Sequence, residues 1–145
     1  MRIIAGFLGG REFQSPPGHR THPMSDKVRG ALFNVLGDIE GLTLLDVFAG
    51  SGALGFEAIS RGAKYVLSIE IDKTTHSNIL KNIKALDIKD SEIKAVRAGA
   101  ASWSANNSGA KFDLVICDPP YDKLQISLLQ KLSRHLKPKG LFVLS

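Results

Sequence analysis

Leu42-Thr43-Leu44-Leu45-Asp46-Val47-Phe48-Ala49-Gly50-Ser51-Gly52-Ala53-Leu54-Gly55 reads as a buried strand, Leu42 to Phe48, running into a glycine-rich turn and a helix, Ala53 to Arg61, stopped by Gly62. Glycines at 50, 52 and 55 satisfy G-x-G-x-x-G, a spacing whose missing side chains let the backbone approach a ligand closely. A second strand, Tyr65 to Ile69, ends at Glu70, where a carboxylate can accept hydrogen bonds from two ribose hydroxyls.

The alternation continues in both directions. Ser25 can cap a helix whose apolar positions Val28, Ala31, Leu32, Val35 and Leu36 share one face, and Gly37 can close it. Ile79, Leu80, Ile83 and Leu86 mark the buried face of a helix after Glu70. Further strands are expected at Glu92 to Arg97, Phe112 to Cys117 and Gly140 to Leu144, with a helix carrying Leu128, Leu129, Leu132 and Leu136 before the last. Five strands separated by helices predict an α/β, Rossmann-like, doubly wound, mostly parallel sheet. Such sheets bind ligands at the carboxyl ends of their strands, so the chemistry belongs just after Phe48, Ile69, Arg97 and Cys117.

Residues Met1 to Pro23 stand apart as a glycine-, proline- and arginine-rich extension. Arg2-Ile3-Ile4-Ala5 and Arg11-Glu12-Phe13 flank Gly9-Gly10 and predict a small β-hairpin. Residues 24–145 form the main domain. The chain stops at Ser145, inside or just after a buried strand, and further C-terminal strands are expected in a complete domain.

Asp118-Pro119-Pro120-Tyr121 follows the Phe112 to Cys117 strand and carries the most chemical information. The prolines fix the backbone and withhold N–H donors, which leaves carbonyl oxygens and the Asp118 carboxylate as acceptors. An exocyclic base amine has two hydrogens to donate, and acceptors that hold both aim its lone pair at a methyl donor. Tyr121 adds a flat face on which a base can stack. The glycine loop alone suits a dinucleotide as well as S-adenosylmethionine; Asp46 and the wording Phe48-Ala49-Gly50-Ser51-Gly52 favour the latter. Gly99 and Ala100, after the third strand, and Ile71, after Glu70, complete the expected cofactor set.

A net charge of +5 and a pI near 9.5 favour a polyanionic partner. Arg2, Arg11, Arg20, His22, Lys27, Arg29 and Lys123 are the expected RNA contacts. Cys117, the single cysteine, can form no internal disulfide and reads as a core residue, not a nucleophile. The histidines show no metal-ligand spacing, and His19, His76 and His135 read as surface residues. With no secretory signal and no membrane-length apolar run, the expectation is a soluble cytoplasmic monomer.

Taken with Arg2-Ile3-Ile4-Ala5-Gly6, Gly10-Arg11, Ser25 to Asn34, Ser60-Arg61-Gly62-Ala63 and Lys81-Asn82, these motifs make the whole chain resemble the RsmD family of bacterial 16S ribosomal RNA (guanine-N2)-methyltransferases. The resemblance implies that Asp46, Phe48 to Gly52 and Glu70 hold S-adenosylmethionine. It implies that Asp118 to Tyr121 hold a flipped guanine, and that the hairpin helps dock 16S RNA or a small-subunit assembly particle. Two departures stand out. His22-Pro23-Met24 replaces the family's Arg-Pro-Thr, and Ala98-Gly99-Ala100 lacks the aspartate expected opposite the adenine amino group, leaving Ser102 or the backbone to replace it. A DNA adenine or cytosine amino-methyltransferase, or a truncated RNA-binding assembly factor without catalysis, are the alternatives.

Overall fold

The computed structural model describes residues 1–17, 24–119 and 125–145. Among these residues five helices and five strands alternate: α1 Asp26–Leu36, β1 Thr43–Val47, α2 Ala53–Ser60, β2 Tyr65–Glu70, α3 Lys73–Ala85, β3 Ile93–Arg97, α4 Ala100–Asn106, β4 Phe112–Cys117, α5 Ile126–Ser133 and β5 Leu136–Leu144. The strands form one sheet in the order β3-β2-β1-β4-β5, parallel throughout. The order reverses between β1 and β4, where this architecture opens its ligand crevice.

Alternation along the central strands feeds two cores. Leu44, Val66, Leu114 and Ile116 pack with α1, α2 and α3, while Leu45, Val47, Leu67, Ile69 and Val115 pack with α4 and α5. Burial on both faces explains why β1, β2 and β4 read as near-continuous apolar runs. Local chemistry sets the helix ends. Ser25 Oγ accepts the Val28 N–H at 3.1 Å, Asp72 Oδ2 accepts the Thr75 N–H at 2.9 Å, and Gly37 closes α1 with φ 74°.

The amino-terminal segment folds back as an antiparallel pair bridged at Arg2 and Glu12, with Ile3 N–H donating to Arg11 O at 2.9 Å. Ile3, Leu8 and Phe13 are buried in the same core as Phe33, Phe56 and Ile59, and Phe13 meets Phe56 edge-on with ring centroids 5.1 Å apart. A buried ionic hub pins this segment to α2. The Glu57 carboxylate accepts from Ile4 N–H (2.9 Å), Ala5 N–H (3.1 Å), Arg29 Nε (3.3 Å) and Arg61 Nε (2.9 Å). Burial pushes the Glu57 carboxyl up, but these donors outweigh it and hold the group below its ordinary value.

Three expectations need correction. The apolar stripe of α1 is only partly buried: Leu32 and Leu36 pack against the core, but Val28 is 53% and Val35 86% exposed, whereas Arg29, Gly30 and Phe33 are buried. Arg29 can be buried because Glu57 neutralises it, and that places the helix's polar residue inside. In α3, Leu80 lies on the exposed side while Thr75, Asn78 and Asn82 are buried, the asparagines because both hydrogen-bond to Gln14 O. Finally, β5 starts at Leu136, four residues before the expected Gly140. Between Phe112↔Leu136 and Leu114↔Leu141 the register shifts, and the bulge takes up Pro138, Lys139 (φ 67°) and Gly140 without breaking the edge strand.

Candidate active site

The parallel register fixes the crevice rim. Val47 pairs with both Ile69 and Cys117, and Ile69 pairs with Val96, so the residues that follow, Phe48, Glu70 and Asp118, stand side by side at the carboxyl ends of their strands.

After β1 the backbone turns sharply. Phe48 adopts φ 62° and Gly50 φ 56°, and Ala49 N–H reaches across to Ile69 O at 2.9 Å. A bulky residue at positive φ is strained, which marks this turn as held by its surroundings. Gly52 caps α2 at φ 83°, and a Cβ there would come within 3.0 Å of the Phe56 ring. Ser51 is buried and its Oγ accepts the Ala53 N–H at 3.3 Å. Glu70 closes the loop: Oε1 accepts from Gly50 N–H and Oε2 from Asp72 N–H, each at 2.9 Å. Each oxygen keeps a second lone-pair direction for a hydroxyl.

The predicted cofactor residues converge on this rim. Ala98 N–H donates to Glu70 O at 3.2 Å, and Gly99 caps α4 through the Trp103 N–H at 2.9 Å. Ile71 is 66% exposed and its Cδ1 lies 3.4 Å from where a Gly99 Cβ would sit, so Ile71 and Gly99 form one wall. Ala100 is buried under it, and Ser102 is exposed. The helix α4 that carries Ala100 has no counterpart among the expected elements.

Asp46 is fully buried and both carboxylate oxygens lack a hydrogen-bond partner among the described residues; Ser68 Oγ, in direct register on β2, shares that condition. Burial, then repulsion from Asp118 and Glu70, pushes the Asp46 carboxyl up to about 8. Asp118 is half-buried and burial raises it too. The Cys117 thiol is pushed up to about 12 by burial and by Asp118 and Asp46, which makes it inert as a nucleophile. Pro119 is half-buried beside Asp118. Pro120 and Tyr121 lie outside the described residues.

These features fit the methionyl and ribosyl parts of S-adenosylmethionine. Gly50 and Gly52 keep the loop close and bare, Glu70 offers acceptors for hydroxyls, and the orphaned Asp46 carboxylate suits a cation.

Among the expected RNA contacts, Arg2 and Lys27 are exposed, while Arg20, His22 and Lys123 lie outside the described residues. Arg29 must be withdrawn. It is fully buried, ion-paired to Glu57 and to Asp26 Oδ1 (2.7 Å), and donates to Arg2 O, so no phosphate can reach it. Arg11 is exposed, but its guanidinium caps the carbonyl end of α3 through Ala85 O (3.0 Å) and Leu86 O (3.4 Å). A helix of 13 residues is roughly 20 Å long, which sets Arg11 at the end remote from the crevice.

Sequence reasoning missed Glu57, whose signal was a lone carboxylate in the otherwise uncharged helix Ala53–Ser60, all of it buried. It also misread His135. The ring is buried, with Nε2 2.8 Å from Ser104 Oγ and Nδ1 2.7 Å from Ala110 O, and it packs at a tilt against Trp103 with ring centroids 4.7 Å apart. Nothing local in the sequence marks those partners.

The family model described as Conserved hypothetical protein 95 matches residues 1–145. The chain belongs to that family. The chain is also similar to curated relatives, among them the ribosomal RNA small subunit methyltransferase D of Buchnera aphidicola, 39% identical over 88% of this chain and 69% of the relative, and that of Escherichia coli K12, 36% identical over 97% and 68%. The family is therefore the RsmD family of the resemblance. Among solved structures, an Escherichia coli protein described provisionally as a methyltransferase, yhhF, superposes with a TM-score of 0.79 at 35% identity, covering 99% of this chain and 76% of that one. The RsmD-family fold thus accounts for the sheet order and for the crevice at its switch point.

Proposed function

We propose that this chain transfers a methyl group from S-adenosylmethionine to the exocyclic N2 amine of a guanine in 16S ribosomal RNA. The observation that carries the reading is the register Val47↔Cys117, which brings the Asp118-Pro119 corner alongside the loop that Glu70 braces. Membership of a family whose curated members are named for small-subunit ribosomal RNA methylation supports the substrate class.

S-adenosylmethionine supplies, when bound, a methyl group already activated on a sulfonium with a neutral leaving group. The task left to the protein is positioning, which supplies much of the catalysis in such transfers. The guanine amine is a poor nucleophile because its lone pair is delocalised into the ring. Asp118 accepts one amine hydrogen and the carbonyls of the proline corner accept the other, which turns the lone pair out of conjugation. As the N–C bond forms and the S–C bond breaks, nitrogen becomes cationic. Asp118, raised by burial, is a better base than an ordinary carboxylate and takes the proton released from nitrogen. Tyr121 supplies the stacking plate for the extruded base, and Arg2 and Lys27 hold phosphates outside the crevice.

The test is transfer of labelled methyl from S-adenosylmethionine to purified small subunits and assembly particles that lack the modification, followed by digestion to nucleosides. The expected product is N2-methylguanosine, lost in Asp118→Ala. Label on adenine or cytosine, or an undiminished Asp118→Ala reaction, would overturn the assignment.

A further inference from the structure

Two buried carboxylates in this molecule live in opposite surroundings. Glu57 has four donors on its two oxygens. Among the described residues Asp46 has none, and neither has Ser68 Oγ beside it in register. The charged and titratable groups that face Asp46 are Glu70 from the end of β2, Asp118 from the end of β4 and the Cys117 thiol of β4, all of them acidic. A bare carboxylate in this enclosure would bear the full cost of desolvation with nothing to offset it. Among the described residues, none that faces Asp46 brings a positive charge.

We propose that Asp46 is a proton-linked counter-ion for the cofactor, standing neutral in the ligand-free crevice and giving up its proton as the cationic methionyl end of S-adenosylmethionine arrives. The inference rests on the S-adenosylmethionine reading and extends it. The Asp46 O–H bond breaks with both electrons left on oxygen, the proton passes to solvent, and the carboxylate pairs with the incoming cation. With the group pushed up to about 8, roughly nine in ten ligand-free molecules carry this proton at pH 7. Two positive groups of the cofactor have the required chemistry, its ammonium and its sulfonium.

Calorimetric titration at pH 6.5 in buffers of differing ionisation enthalpy measures the proton directly, since an α-amino group is itself protonated there. S-adenosylmethionine binding is expected to release close to one proton, and its affinity to rise up to about tenfold per pH unit until it flattens near pH 8. Methylthioadenosine, which lacks both cations, is expected to release none. S-adenosylhomocysteine keeps only the ammonium: release with it assigns the ammonium as partner, and absence of release assigns the sulfonium. In Asp46→Asn the buffer dependence is expected to vanish. Should that variant fail to fold, the parent's infrared difference spectrum must still lose a protonated-carboxyl band on binding. Binding of S-adenosylmethionine with no proton release, or with the band unchanged, overturns the inference and leaves the cofactor reading standing. Absence of binding at every pH overturns both.

Discussion

Gly50 N–H donates to Glu70 Oε1 at 2.9 Å, so the loop after β1 is latched to the end of β2 by the carboxylate that the cofactor's ribose would share. On the proposed function, the latch and the ligand contact are one group. Glu70→Ala should therefore lose charge-assisted hydrogen bonds and loop order together, which is worth about 1.5–3 kcal/mol, or roughly 10- to 100-fold in affinity. Titration calorimetry with S-adenosylmethionine reads this directly, and an affinity within twofold of the parent would contradict it.

Asp118 should govern the acidic limb of the pH–rate profile. Because burial raises its carboxyl, half-maximal rate should fall at a pH above the ordinary carboxylate range. Asp118→Asn is expected to lower kcat by about 10²- to 10⁴-fold while leaving cofactor affinity within a few-fold, and to erase that limb. Single-turnover rates across the pH range separate the two effects.

Ligand-free stability should fall with rising pH through the Asp46 window. An unfolded aspartate ionises near its model value of 3.8, whereas the folded one holds its proton until about 8. Between those values the folded state binds more protons, so stability is greatest at the low end and declines upward. Asp46→Asn should flatten this slope and raise the melting temperature at pH 8, by on the order of 1–3 kcal/mol of stability. Thermal melts at a series of pH values check both the sign and the window.

The buried hub and the exposed cations should separate cleanly. Glu57→Ala removes the buried counter-charge of Arg29, leaving it only the more exposed Asp26, and should cost about 3–5 kcal/mol in urea unfolding. Lys27→Ala should leave stability within about 0.5 kcal/mol and reduce the salt slope of RNA binding by about one counterion. An unchanged salt slope would remove Lys27 from the RNA surface.

Much of the fold was legible because it rests on local rules. The apolar runs at β1, β2 and β4 and the glycine turn at 50–52 have only one comfortable arrangement, and the caps at Ser25 and Gly37 announce themselves. The α1 face was misread in part, at Val28 and Val35, because periodicity counts apolar residues and cannot see that Glu57, 28 positions later, makes burying Arg29 favourable. The β5 start was hidden by Pro138 and Gly140, which locally argue against a strand that the edge position and a bulge allow.

Side-chain pattern and backbone freedom at glycine and proline were enough to place the five strands, every helix but α4, the loop that faces the crevice and the acidic groups along its rim. The tertiary structure alone decided which charges are satisfied. Arg29 turned inward to Glu57, Arg11 went to the far end of α3, and Asp46 was left without a hydrogen-bond partner among the described residues. Burial and pairing are properties of three-dimensional neighbours, and no spacing along the chain encodes the distance between groups brought together from separate elements.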